Sequence, residues 1–253
     1  MASYLVTGAN RGLGLEIVRV LANKPSSEVS TVFATLRSEP PSALQEIVSS
    51  SEGRVVLVQL ETRDTKSISE AVDKVKQVVG DRGLDILINN AAINNETPEG
   101  VATMTNLRET LEVNVEAVQN LTVALLPLLK QGQRKTVLNM SSIVGSITLL
   151  ERFLIAPHHA YKVSKAALNC LTKLYALDFD KEGFTFFAVS PGWVKTAQGG
   201  PYADLDADTA AKAVLDLLKR DRADLNGKFL NIHVPGWEKT TGLHNYDGAE
   251  IPW

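Results

Sequence analysis

A single cysteine, Cys170, occurs among the 253 residues, which excludes an intramolecular disulfide. Neither sign of charge dominates: 26 basic side chains stand against 29 acidic ones, for a net charge of -3. Such a chain has no basic field with which to hold nucleic acid or an anionic membrane. No apolar run approaches the roughly 20 residues of a membrane-spanning helix, and no basic start followed by an apolar stretch marks a signal peptide, so a cytoplasmic location is expected. The sequons at Asn95, Asn120 and Asn139 carry no weight without a secretory route, and the last two fall in apolar segments. Linkers of low complexity, charge blocks and solenoid-length repeats are also missing. A single domain over residues 1–253 follows, with a small molecule as its partner.

What the chain does have is an alternation. Short apolar, β-rich runs (YLV, STVFATL, VVLVQL, LDILINNA, KTVLNMSS, TFFAVSPG, KFLNIHV) are separated by stretches with helical periodicity. Strands interleaved with amphipathic helices predict an α/β fold, a doubly wound parallel sheet of about seven strands covered on both faces. The longest helical stretches are 106–129 and 160–179. The tail from Pro235 to Trp253 is expected to pack as ordered coil, because Trp237 and Trp253 are costly to expose. Ligands of such sheets gather at the carboxyl ends of the strands, so the residues just after each strand are the candidates.

The first strand runs into TGANRGLG. Gly8 allows the tight turn, Gly12 lets backbone approach a pyrophosphate, and Gly14 lets the next helix pack close to the strand, with its N-terminus turned toward phosphate. The spacing is G-x-x-x-G-x-G, and a plain flexible turn is the competing reading. The second strand ends in Leu36 and Arg37, where NAD-binding folds place a carboxylate for the ribose hydroxyl. A guanidinium there pairs with a 2′-phosphate, and Arg11 could reach it from the other side. Unless both are merely solvated surface arginines, this selects NADP(H).

YKVSK puts Tyr161 and Lys165 one helical turn apart on one face. A phenol titrates near a pKa of about 10, and an adjacent ammonium would lower that value and make it an acid. Either the pair is catalytic or it is a chance surface spacing. Ser141 and Ser142 end the preceding strand; one can bond a carbonyl oxygen, and one can serve as a cap. Asn114, polar on an apolar helix, needs buried partners. His158 and His159 precede Tyr161 and either touch substrate or are polar loop residues; no carboxylate or cysteine completes a metal set with them. Trp193, after the sixth strand, is either a pocket wall or plain packing.

Taken together, TGANRGLG, NNAA (89–92), Asn114, NMSS (139–142), YKVSK and PGWVKT (191–196) resemble the single-domain short-chain dehydrogenase/reductases, Rossmann-type enzymes, along essentially the whole chain. Within that family the chain is similar to the sniffer and C-factor group of carbonyl reductases and to fungal ketoreductases of secondary metabolism; the tail YDGAEIPW shares in this. The resemblance implies NADPH-dependent reduction of a ketone or aldehyde, an aromatic polyketide ketone among the candidates, and a homodimer or homotetramer. It implies Tyr161 as general acid, Lys165 as its modulator and ribose ligand, Ser142 as the carbonyl-orienting hydroxyl, and Asn114 as support for a proton-relay water. Gly8, Asn10, Arg11, Gly12, Leu13, Gly14 and Arg37 would hold the phosphates. Glu61, Thr62, Asn89, Asn90 and Ala91 would border the adenosine, and Pro191, Gly192, Val194 and Thr196 the nicotinamide. Trp193, His158 and His159 would face substrate beside Ser142. Two departures stand out: Glu61 replaces the usual Asp, and Ser142 to Tyr161 spans 19 positions, longer than the family pattern, predicting an enlarged apolar loop over SITLLERFLIAPHHA. The segment after PGWVKT is short, so little lid is expected. The alternative is an NADP(H)-binding protein with a non-redox role as sensor, scaffold or rearrangement host.

Overall fold

In the computed structural model, which describes residues 1–240 and 242–253, seven strands form one parallel sheet. They are β1 (Ala2–Val6), β2 (Val29–Leu36), β3 (Val55–Gln59), β4 (Ile86–Asn89), β5 (Thr136–Met140), β6 (Thr185–Ser190) and β7 (Phe229–Asn231), in the order β3-β2-β1-β4-β5-β6-β7. Strand order reverses at β1 and β4, which opens a crevice at their carboxyl ends.

Alternation along each strand builds two cores. Tyr4, Val6, Val32, Ala34, Ile86, Ile88, Leu138 and Phe187 point to one face, packed against α1 (Gly12–Ala22), α2 (Ser42–Ser50) and α7 (Ala207–Leu217). Their neighbours Leu5, Phe33, Leu87, Val137 and Phe186 point to the other, under α3 (Thr65–Val79), α5 (Ala117–Gln131) and α6 (His159–Asp178). Every residue of β1, β4, β5 and β6 is buried, so both faces are apolar and the strands read as continuous hydrophobic runs.

The amino ends of the central strands are fixed by one carboxylate. Asp85 accepts from Ser3 N at 2.8 Å, Ser3 Oγ at 3.1 Å, Gln133 N at 2.8 Å and Arg134 N at 3.3 Å. A buried carboxylate is tolerable only when so satisfied. It ties β1, β4 and the start of β5 together at the end of the sheet away from the crevice.

The helix expected over 106–129 is interrupted. It begins as α4 (Leu107–Leu111), loosens into a π-turn at Glu112–Glu116, and resumes as α5. Single π-turns cluster at functional sites, and this one carries Asn114. A short helix α8 (Arg222–Leu225) precedes β7. In the tail, Trp253 stacks on Phe229 of β7 at 5.6 Å between ring centroids, and Trp237 lies 5.6 Å from Tyr246 of the same tail.

Candidate active site

The glycine turn between β1 and α1 is built by exclusion of side chains. Gly8 and Gly12 have φ of +67° and +56°, a left-handed conformation that residues with a Cβ pay to enter. A Cβ on Gly14 would lie 2.3 Å from Gly8 O and 2.6 Å from Asn90 Nδ2. The turn is bolted to the end of β4 by Thr7, whose hydroxyl accepts from Asn90 N at 2.8 Å and Ala91 N at 2.9 Å, and by Asn90 Nδ2, which donates to Thr7 O at 2.8 Å. Thr7 was not among the residues singled out from sequence; a hydroxyl just before the first glycine is the signal for it. Asn90 thus acts on the turn itself. The amide of Asn89 faces away from the crevice, donating to Asn139 Oδ1 at 2.9 Å and Thr122 Oγ1 at 3.3 Å in the layer beneath the sheet, so only its backbone can border a ligand.

At the rim, Arg11 is exposed at the N-cap of α1 and has no carboxylate partner among the described residues. Arg37, after β2, sits 3.6 Å from Glu61. Glu61 also faces Arg63 at 3.7 Å, and Arg63 reaches Glu112 at 3.9 Å. The acid that replaces the usual Asp is therefore occupied by two guanidinium groups. Arg63, in LETRD, is a further cation at this end that sequence reasoning passed over.

At the centre of the crevice Tyr161, Lys165 and Ser142 come together. Tyr161 and Lys165 lie on α6, with Lys165 Nζ 5.3 Å from the Tyr161 ring centroid. The side chains of Ser142, from the end of β5, and Gln198, from the turn after β6, face the Tyr161 phenol. Ser141 points to the opposite side and donates to Asn169 Oδ1 at 2.6 Å, as neighbours at a strand end must. Lys165 is buried and donates to Met140 O at 2.6 Å.

The electrostatics depart from the expectation that Lys165 lowers the phenol's pKa. Burial pushes Tyr161 up to about 12, against the side chains of Ser142 and Gln198, which pull it down. Burial pushes Lys165 down to about 7. Each group loses more by leaving water in its charged form than it gains from its neighbours.

Asn114 spends its side chain on structure. Its oxygen accepts from Ile93 N at 2.9 Å, and its nitrogen donates to Ile93 O at 2.9 Å and Ser164 Oγ at 3.0 Å. Both amide hydrogens are committed, so a relay water could use only its remaining lone pair or its backbone.

Three further segments carry the remaining residues singled out from the sequence. The enlarged loop exposes Ile147, Leu154 and Ile155 and buries Phe153, whose carbonyl accepts from Lys162 Nζ at 2.7 Å. After β6, Pro191 and Gly192 lead to Trp193, half exposed, its Nε1 donating to Gly199 O at 2.7 Å. Val194 bridges to Leu205 and Thr196 borders Gly12, so this turn sits against the glycine turn. The third segment is the tail. Tyr246 Oη donates to Asp204 at 2.5 Å and accepts from Trp193 N at 3.1 Å, its ring filling the space beside Gly192. His244 Nδ1 lies 3.1 Å from the same Asp204, with its ring 5.6 Å from Phe153 and 5.7 Å from Trp193. Sequence reasoning missed this clasp; Asp204 and Tyr246 are too far apart in the chain for any spacing to link them. His158 and His159 are half-buried just before Tyr161, with Nδ1 of each unpartnered among the described residues. Burial lowers the His158 pKa, opposed by Glu96.

A tyrosine, a lysine and a serine at the carboxyl edge of a parallel sheet, beside a glycine turn at a helix N-terminus, define a dehydrogenase-type nucleotide enzyme. The chain belongs to the short chain dehydrogenase family, whose profile matches residues 3–204. Among solved structures it is similar to the carbonyl reductase Sniffer of D. melanogaster, with TM-score 0.85, 30% identity and 100% of each chain covered. It is also similar to an NADPH-bound carbonyl reductase from chicken fatty liver, with TM-score 0.84 and 32% identity over 100% of this chain and 94% of that one. Among curated proteins, norsolorinic acid ketoreductase of Aspergillus parasiticus is 30% identical over 99% of this chain and 90% of its own length.

Proposed function

We propose that this chain reduces the carbonyl of an apolar ketone or aldehyde with NADPH. The carrying observation is the buried Tyr161, with Ser142 facing its phenol and Lys165 Nζ 5.3 Å from its ring, at the carboxyl edge of the sheet that also carries the glycine turn. The cofactor fits what is present: a turn in which a Cβ on Gly14 has no room, a helix N-terminus, and Arg11 and Arg37 at the rim where a carboxylate would repel a 2′-phosphate. Relatives support the same reading, since the chicken enzyme is described as NADPH-bound and the Aspergillus protein as a ketoreductase. When bound, NADPH supplies a hydride to the carbonyl carbon.

The protein's own groups do the rest. Ser142 orients the carbonyl oxygen by donating to it, and Tyr161 gives that oxygen its proton as negative charge develops there. Lys165, one turn away, is placed to bind the ribose and, in its protonated form, to offer a positive charge to the phenolate that remains. Asn114 holds the Ile93 segment against α6 and so fixes the floor of the site. Ala91, Asn10 and Leu13 line the turn, Thr62 flanks Glu61 at the adenosine end, and Val194 and Thr196 close the nicotinamide side.

Ile147, Leu154 and Ile155 on the enlarged loop, and Tyr202 and Trp193 after β6, are exposed apolar side chains on the segments we assign to substrate. That surface suits a flat hydrophobic carbonyl compound better than a small polar one, and we place the activity in the cytoplasm and in secondary metabolism. Exposed Val123, Val163, Leu174 and Leu177 on α5 and α6 offer a face for a homodimer. NADPH consumption measured across aromatic polyketones, quinones and short polar aldehydes tests the substrate class. Turnover confined to the polar aldehydes would contradict it.

A further inference from the structure

Between Ser142 and Tyr161 the enlarged loop is pinned at one residue. Phe153 is buried, while Leu154 and Ile155 beside it, and Ile147 earlier in the loop, are exposed. From inside the fold, the buried Lys162 donates from Nζ to Phe153 O at 2.7 Å, the one side-chain hydrogen bond it makes among the described residues. That carbonyl already accepts from Ala156 N at 3.2 Å, so satisfying it does not require a lysine, and an ammonium with a single acceptor is costly to bury. Lys162 follows Tyr161 in YKVSK, but successive helical residues point about 100° apart, and this one turns to the loop. From the other side, His244 of the tail stacks on the Phe153 ring, with centroids 5.6 Å apart and an interplanar angle of 23°. The same imidazole lies 5.7 Å from the Trp193 ring and 3.1 Å from Asp204. The loop also starts against the catalytic helix, since a Cβ on Gly145 would lie 2.6 Å from Lys165 Cβ.

We propose that Lys162 and His244 are positioning residues that set substrate selectivity by acting together on Phe153, Lys162 fixing its backbone and His244 its ring. The inference rests on carbonyl reduction as the activity and on this loop as a segment that meets the substrate. Because His244 touches Phe153 and Trp193 at once, the two anchors fix how far the loop stands from the turn after β6. A bulky ketone that lies against both segments depends on that spacing. A short aldehyde held at Ser142 and Tyr161 does not. Contacts of this kind are made equally in the ground state and the transition state, so their loss raises KM and leaves kcat in place.

Lys162→Met keeps the stem and removes the donor; His244→Ala removes the ring, and His244→Phe restores a ring without the nitrogens. With an aromatic ketone, KM should rise roughly three- to tenfold in Lys162→Met and in His244→Ala, with kcat, the NADPH dissociation constant and KM for a short aldehyde within about twofold of wild type. His244→Phe should recover the wild-type KM. Since both anchors act on one residue, the double variant Lys162→Met/His244→Ala should raise KM by less than the product of the two single effects. Equal rises for ketone and aldehyde would overturn the proposal, as would a fall in kcat at constant KM or effects that multiply in the double variant. A second measurement needs no turnover. Arg152 is exposed, so its bond to Phe153 is open to trypsin. Brief digestion of the folded protein, with fragments identified by mass, should cut there roughly threefold faster or more in both single variants; an unchanged rate also overturns the proposal. A wild-type protein without reductase activity would sink the functional reading, while the rate of cutting after Arg152 would still report the anchoring.

Discussion

Tyr161 and Lys165 lie one turn apart on α6, with the ammonium 5.3 Å from the ring centre, yet burial drives their pKa values in opposite directions, to about 12 and about 7. Each is held toward its neutral form in the folded chain.

That gives a pH dependence of stability with a definite sign. The folded pKa of Lys165 lies below its unfolded value of 10.5, so between about 7 and 10.5 the unfolded chain binds more protons, and stability rises with pH across that window. Each tenfold change in proton affinity is worth about 1.4 kcal/mol, so this contribution amounts to several kcal/mol. Tyr161 has the opposite sign, its contribution being intact below 10.0 and lost as pH climbs through about 12. Lys165→Met should be more stable than wild type near pH 7 and should lack the rise toward pH 10. Urea midpoints measured against pH check this; parallel curves for the two proteins would refute it.

Arg37, largely exposed, lies 3.6 Å from Glu61; if Arg37 holds the 2′-phosphate, as proposed, that phosphate competes with Glu61 for the guanidinium. Arg37→Ala should weaken NADPH binding by roughly three- to tenfold, a modest effect because the group is solvated, and should leave NADH binding unchanged. Glu61→Gln removes a competitor for the guanidinium and should tighten NADPH binding. Both effects should shrink at high salt. Fluorescence titrations with the two cofactors decide, and equal losses for NADH and NADPH in Arg37→Ala would contradict the 2′-phosphate contact.

Tyr246 joins the tail to the turn at Trp193, and burial, with Asp204 beside it, raises its pKa, so it remains a protonated donor. Tyr246→Phe removes both hydrogen bonds at an expected cost of about 1–3 kcal/mol. Because the turn carries Trp193, KM for an apolar ketone should rise more than kcat falls. Thermal unfolding together with steady-state kinetics reads both, and a variant matching wild type in each would show that the clasp is idle.

The sequence made some of this plain and hid the rest for identifiable reasons. Strands such as VVLVQL and TFFAVS were readable because parallel strands are apolar on both faces, and the glycine turn because only glycine fits at Gly14. Tyr161 and Lys165 were readable as a pair because helical periodicity is local. Ser141 and Ser142 were not separable by periodicity alone, since it gives opposite faces but not which face is the crevice. The approach of Arg37 to Glu61, of Gln198 to Tyr161, and of Asp204 to Tyr246 depends on strand order and loop paths. Burial, which raises the Tyr161 pKa, was not legible, because charge proximity is visible in a sequence and desolvation is not.

The central claim is that Tyr161 donates the proton in an NADPH-dependent carbonyl reduction. Its most direct test is NADPH consumption with an aromatic ketone by wild type and Tyr161→Phe, run beside a titration of NADPH binding to each. Turnover should fall by roughly two or more orders of magnitude in the variant, with the NADPH dissociation constant nearly unchanged. A variant that turns over as wild type does would contradict the account.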